Sequence, residues 1–232
     1  MRPLLLVLAL FAAVAGSPAS ARADAHTPGF QIQADGLLFG PMGDVVSQRS
    51  VRMTDLFNQG GGFGITATIG VRQHWLLGLT GGTSASTKEG TYSFTDLPVE
   101  PGRTATLGGG PYTIRRKLML LPVLAVVQYR HNLMGPLEWD ADGGFGIVST
   151  TENMQLRSRT GNGTLVNISG YQRDPAWALG TSLAWRVPGN FDVVGSARYL
   201  GTLAGNGAIW VKNDDPGFAN WALGLRYPHD TH

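Results

Sequence analysis

The side chains suited to proton transfer or metal binding are few, and their spacing is informative. Five histidines, His26, His74, His131, His229 and His232, titrate nearest neutrality. None stands at a spacing that suggests a metal site or a base beside a nucleophile. Cysteine is absent, which excludes disulfides and a cysteine-linked lipid anchor. Asp140, Asp142 and Gly143 open like a calcium loop. Such a loop needs glycine at its sixth position and glutamate at its twelfth, and neither follows. Asp140 and Asp142 are better matched to arginines such as Arg186 and Arg226. Gly143, Gly144 and Gly146 precede no helical pattern, so they form no dinucleotide loop. The stretch from Gly78 to Thr83 lacks the lysine of a phosphate loop. No metal and no cofactor is expected. Two basic groups remain: Arg115, Arg116 and Lys117, and farther on Arg157, Arg159 and Arg173. Cations in such sets suit charge-assisted pairing with phosphate. Loop solubility and internal pairing are the plainer alternative.

A strand pattern positions these residues. From Ala176 to Val187, Trp177, Leu179, Leu183, Trp185 and Val187 take the odd positions, with Thr181 as the polar exception. Small or polar residues, ending in Arg186, take the even ones. A period of two is that of a strand with one apolar face. Trp177 and Trp185 lie eight residues apart. In a strand tilted about 40° that is roughly 20 Å along a barrel axis, close to the apolar band of a membrane barrel. Eight segments read as strands: Phe30–Gly40, Gly62–Gln73, Trp75–Ala85, Arg116–Arg130, Pro136–Ser149, Pro175–Val187, Phe191–Thr202 and Phe218–Tyr227. The fourth is apolar on both faces. The connections Gln73–Trp75, His131–Gly135 and Pro188–Asn190 are short. Pro41–Gly61, Ser86–Arg115, Thr150–Asp174 and Leu203–Gly217 are long and rich in turn formers.

The N-terminus reads as a secretory signal over residues 1–23: Arg2, an apolar stretch from Leu4 to Val14, and a small-residue region from Ser17 to Ala23. Residues 24–232 form the remaining domain. Removing Arg2 and Arg22 from the 18 lysines and arginines leaves 16, against 16 aspartates and glutamates. Zero net charge gives no reason to expect nucleic acid as a partner. Glycine makes up 33 of 232 residues, well above the usual share of about 7%.

The face opposite the apolar one carries Asp35, Arg72, Glu138, Asp140, Asp142, Arg186, Asp192, Arg198 and Arg226, interleaved with glycine and alanine. Such a set cannot form an apolar core. It can fill a narrow barrel as a charge-paired plug, with the apolar face turned to lipid. Trp75, Tyr129, Trp139, Trp185, Phe191 and Tyr227 lie beside short turns or the C-terminus, as one interfacial girdle should. Trp177 and Trp221 complete the aromatic set, Trp177 as a marker of the outer interface. The expected architecture is all-β: an eight-stranded antiparallel up-and-down transmembrane barrel with long loops outside.

Three segments carry a family resemblance. They are Leu121-Pro122-Val123 through Gln128-Tyr129-Arg130, then Pro136 to Ile147 with its glycine run, then Trp221 to Tyr227. The chain resembles the small outer-membrane barrels of the OmpA, OmpX, OmpW and opacity type, although five residues follow Tyr227 here. The resemblance implies an outer-membrane protein of a Gram-negative-type cell. It implies lipid and lipopolysaccharide as surroundings, and the barrel-assembly machinery as a partner during insertion. A non-enzymatic structural or adhesin-like role through four loops is expected, with an unknown extracellular ligand. A narrow channel for small or apolar solutes is the alternative, and a lipid A-modifying enzyme the third reading. Arg115, Arg116 and Lys117 are expected at lipopolysaccharide phosphates.

Overall fold

A computed structural model describes residues 29–42, 44–46, 51–52, 54, 57–93, 96–100, 103–106, 111–158, 164–188, 191–203 and 217–229. The expected signal segment over residues 1–23, Arg159 and most of the fourth long loop lie outside these residues. Twelve strands are present among them: β1 (Phe30–Met42), β2 (Asp44–Val46), β3 (Val51–Arg52), β4 (Gly60–Arg72), β5 (Trp75–Ser93), β6 (Asp96–Glu100), β7 (Arg103–Thr106), β8 (Pro111–Met134), β9 (Leu137–Ser158), β10 (Thr164–Val187), β11 (Phe191–Thr202) and β12 (Gly217–His229). Eight of them form one closed antiparallel barrel in the order β1, β12, β11, β10, β9, β8, β5, β4. β1 closes the ring by pairing with β12 from Phe30 opposite His229 to Met42 opposite Gly217. The pairs β2–β3 and β6–β7 are small hairpins in the first two long connections.

Alternation decides which way each strand faces. On β4, Phe63, Ile65 and Ile69 are exposed while Gly64, Thr66 and Thr68 are buried. On β12, Trp221, Leu223, Leu225 and Tyr227 are exposed while Gly224 and Arg226 are buried. Leu223 is 69% and Leu38 68% exposed, whereas Asp140 is 0% and Arg226 2% exposed. Apolar residues outside and charges inside invert the burial order of a water-soluble domain. Closure into a ring without edges pairs the strand backbones around the wall, as a hydrocarbon environment requires.

Four strands outrun their expected limits. β5, β8, β9 and β10 continue past the wall as a four-stranded sheet, paired from Ser86–Leu118 to Ser93–Pro111 and from Asp174–Val148 to Thr164–Arg157. The segments Ser86–Arg115 and Thr150–Asp174 therefore hold strand as well as loop. Their Thr, Ser, Asn and Gln look like loop composition, yet alternate well enough to pair. At the other end, β8 runs on to Met134, and the reversal falls at Gly135, whose φ of 55° suits glycine.

Candidate functional site

The lumen is filled in two tiers. Near the short turns, three carboxylates and three guanidiniums interlock. Arg226 donates from Nη1 to Asp140 Oδ2 at 2.7 Å, from Nε and Nη2 to Asp192 Oδ2 at 2.9 and 2.7 Å, and from Nη2 to Glu138. Arg130 Nε lies 2.9 Å from Asp140 Oδ1 and 3.5 Å from Glu138 Oε2. Arg186 Nη2 lies 3.0 Å from Glu138 Oε1, and its Nε lies 3.7 Å from Asp192 Oδ1. Strand register assembles the set: Asp192 faces Arg226 across β11–β12, and Arg130 faces Asp140 across β8–β9. The tier is electroneutral, so each buried charge has its counterion within reach, as burial requires.

One step farther in, Arg198 Nε and Nη2 each reach Asp142 Oδ2 at 3.0 Å, and Nη1 reaches Thr80 Oγ1 at 3.3 Å. Asp35 accepts from Gln33 Nε2 at 2.9 and 3.0 Å. Glycine makes room for these carboxylates. A Cβ on Gly180 would stand 2.5 Å from Asp142 Oδ1, and one on Gly224 would stand 2.1 Å from Asp35 Oδ1.

The outer tier is mainly apolar, with the buried Asp174 held by Gln172 Nε2 at 2.9 Å, which corrects the expectation of a polar lumen throughout. Phe39, Phe57, Leu118, Leu120, Leu124, Val126, Val148, Ala176, Ala178, Leu200 and Phe218 form one buried cluster. Phe39 and Phe218 stack with centroids 5.3 Å apart. β8, apolar on both faces, supplies four of these side chains. Between the tiers lies a cavity of about 60 Å³, lined in part by Asp35, Gly81, Gly82, Leu120, Pro122 and Arg198. A second hollow, of about 310 Å³, lies on the outer face among Phe63, Ile65, Leu79 and Val123 and shares Thr80, Gly81 and Gly82 with the first. Between them the β5–β8 ladder drops two steps, from Gly81–Val123 to Ser84–Leu120. Pro122 has no N–H to close that gap.

No family model and no curated protein sequence matches the chain. Among solved structures, a major outer membrane protein from Thermus thermophilus superposes with a TM-score of 0.51 at 15% identity, covering 88% of this chain and 100% of that one. Neisserial surface protein A gives 0.49 at 11% identity, with 85% and 96% covered. OprG from Pseudomonas aeruginosa gives 0.47 at 10%, with 89% and 98% covered. This chain has the fold of a small eight-stranded outer-membrane β-barrel. The likeness carries the fold, and the exposed apolar belt independently demands a bilayer around it.

Aromatic residues gather at both ends of the barrel's belt. At the short-turn end, Trp75 and Tyr129 meet at 5.1 Å, Tyr129 and Trp139 at 6.4 Å, and Phe191 and Tyr227 at 5.5 Å, while Trp185 is exposed. Toward the long loops, Trp177 contacts Tyr199 at 5.4 Å, and Trp221 lies opposite Ala197. Thr181, the polar exception on this face, accepts a 2.8 Å bond from Trp139 Nε1 and donates to the Asp140 carbonyl at 3.1 Å. Its hydroxyl gives a lipid-facing indole its acceptor.

Other expected site residues divide. Glu138, Asp140, Asp142, Arg186, Asp192, Arg198 and Arg226 come together in the barrel interior. Asp35 accepts from Gln33 and forms no ion pair with the described residues. Arg72 stands exposed at the β4–β5 turn, past a bulge after Gly70. Arg130 was missed because a strand ending there would have left it in a turn. Arg115 and Lys117 are exposed, but Arg116 is a correction. Its even position turns it inward, where Nη1 lies 4.0 Å from Glu152 Oε1. Burial pushes the Glu152 carboxyl above its ordinary value, with Arg116 opposing. Among the described residues no group of three or more His, Cys, Asp or Glu could hold a metal ion.

Proposed function

We propose that the barrel is a non-enzymatic surface protein that supports the membrane and meets extracellular partners through its long-loop side, in an adhesin-like role. The observation that carries this reading is the sheet built by β5, β8, β9 and β10 beyond the belt. β10 pairs with β11 only as far as Ala176, yet continues with β9 to Thr164. Ordered strands held clear of the bilayer form a rigid platform, which lowers the entropic cost of docking. The plugged inner tier accords with a role that moves nothing through the lumen. His74 and His131 stack near Tyr129 at the turn end, which favours a structural part for both. The barrel-assembly machinery would read β12 during insertion.

The test is adherence. A non-adherent bacterial host displaying the full chain should bind matrix-coated wells. A variant with residues 152–171 replaced by a short turn should not. Equal adherence of the two hosts would sink the reading. Lipid A from the same cells should keep its mass spectrum, and an altered one would favour an enzyme.

A second reading is favoured by the missing ladder steps at Pro122. The two hollows that share Thr80, Gly81 and Gly82 would let a small apolar molecule pass from the outer tier sideways to the bilayer. Faster uptake of an alkane-like probe into cells, abolished by Gly82→Leu, would support this reading. Silence in planar bilayers is expected under both readings, and steady ion conductance would count against the plugged lumen.

A further inference from the structure

Charges between the apolar tier and the short turns do not balance. The carboxylates there are Asp35, Glu138, Asp140, Asp142 and Asp192, and the guanidiniums are Arg130, Arg186, Arg198 and Arg226. Four of the acids pair with the four arginines, and Asp35 is left over among the described residues. Arg198 lies within electrostatic reach of Asp35, but Asp142 already engages it at 3.0 Å and adds its own negative charge nearby. Gln33, which donates to Asp35, carries no charge. A surplus charge in a ring wrapped by hydrocarbon is costly unless a counterion meets it.

The wall provides space beside that charge. Register sets Gly224, Asp35, Gly64 and Gly82 at one level across β12, β1, β4 and β5. The three glycines bring no side chain to the lumen, and the cavity of about 60 Å³ lies there. A water occupies about 30 Å³ in the liquid, so the volume suits a small ion with a water. Neutral oxygens line the same cavity. Asn220 Oδ1 is buried and accepts no hydrogen bond from the described residues, and the hydroxyls of Ser84 and Ser196 stand with it. A proton on Asp35 would cancel the charge, yet it would leave the Asn220 oxygen without a donor.

We infer that this cavity binds one small monovalent cation of the sodium class. Asp35 supplies the charge, and Asn220, Ser84 and Ser196 supply the neutral oxygens that hard cations take as ligands. Charge selects the valence, since a divalent ion would turn one surplus negative charge into one surplus positive charge. Volume excludes a bulky organic cation such as choline. Such an ion needs one carboxylate, where a transition metal would need several strong ligands. This inference rests on the membrane fold and on neither reading of function.

The test is reversible urea unfolding of the full chain in neutral lipid vesicles, with sodium chloride replaced stepwise by choline chloride at constant ionic strength. Above the dissociation constant, each tenfold rise in sodium should raise the wild-type folding constant about tenfold, because one ion binds the folded chain alone. Asp35→Asn removes the charge and keeps the shape. It should fold equally well in both salts, and in choline it should be more stable than wild type. Asn220→Leu keeps the charge and loses a ligand, so its sodium response should move to about tenfold higher concentration. Equal sodium responses in wild type and Asp35→Asn would overturn the inference. So would a wild type indifferent to sodium, and stabilisation of that wild type but not of Asp35→Asn by acid would then assign the neutralisation to a proton. Heat-modifiable mobility checks folding. If Asp35→Asn loses it, Asn220→Leu carries the test, and an unshifted sodium response there overturns the inference.

Discussion

The two halves of the lumen fill the same eight-stranded wall with opposite chemistry. At the short-turn end three arginines meet three carboxylates. At the long-loop end phenylalanine, leucine and valine dominate, and the one acid among them, Asp174, accepts from Gln172 Nε2 at 2.9 Å instead of meeting an arginine cluster. The switch runs strand by strand: Gln128 gives way to Val126 on β8, Asp142 to Val148 on β9, and Arg226 to Phe218 on β12. The difference follows from what can cover each end. Long connections can cap an apolar core, and Phe57, just before β4, does so beside Phe39 and Phe218. Turns of two or three residues cap nothing. The inner end must close with groups that tolerate water, and a neutral ion cluster does this if every member is paired.

The largest effect should come from the hub. Arg226→Met leaves Glu138, Asp140 and Asp192 short of a buried partner and should cost about 3–5 kcal/mol in urea unfolding from lipid vesicles. Adding Asp192→Asn should recover part of that loss, because the two residues act as one unit. In the apolar tier Leu118→Ala should cost about 3 kcal/mol, and its combination with Asp192→Asn should be additive. Coupling in both tiers would break the distinction between them. The wall is tested next. Leu183→Lys should cost about 2 kcal/mol, the low end for a lipid-facing cation, since Leu183 stands close to Trp185. Ser182→Thr, on the lumen side, should be near neutral. Equal tolerance at both positions would mean that the strand faces the other way.

The smallest effect concerns an acid placed above the apolar tier. Glu152 has one opposing arginine where Glu138, Asp140 and Asp192 each have two or more, and burial raises its pKa above the ordinary 4.5. A raised pKa in the folded state means that the folded chain binds the proton more tightly than the unfolded one. The resulting stabilisation is complete below about pH 4.5 and is lost as pH rises through the raised value. Protease cleavage of the extended β9–β10 hairpin should therefore be slower at pH 4 than at pH 7. Glu152→Gln should flatten that difference.

Much of the wall was legible in the residues. Alternation marked the second, fifth, sixth and eighth strands most plainly, the fourth showed instead as an apolar run on both faces, and the charged face of β9 through β12 pointed inward because no apolar core accepts Asp140, Asp192 and Arg226 together. Arg130 and Arg116 were misplaced for one reason: the ends of β8 were not visible. Its polar outer stretch matches loop composition, and its inner end runs past Tyr129 to Met134. Parity then assigned Arg130 to the lumen and turned Arg116 away from the surface.

Sequence alone determined the period, the short and long connections, and hence a closed antiparallel barrel with its apolar face outward, because a period of two admits only two faces and only one can meet lipid. Tertiary structure alone decided which charges share a counterion, that the outer tier is mainly apolar, and that four strands rise beyond the membrane. Those features depend on register across the ring, which brings residues dozens of positions apart to one level and leaves no mark in any single strand.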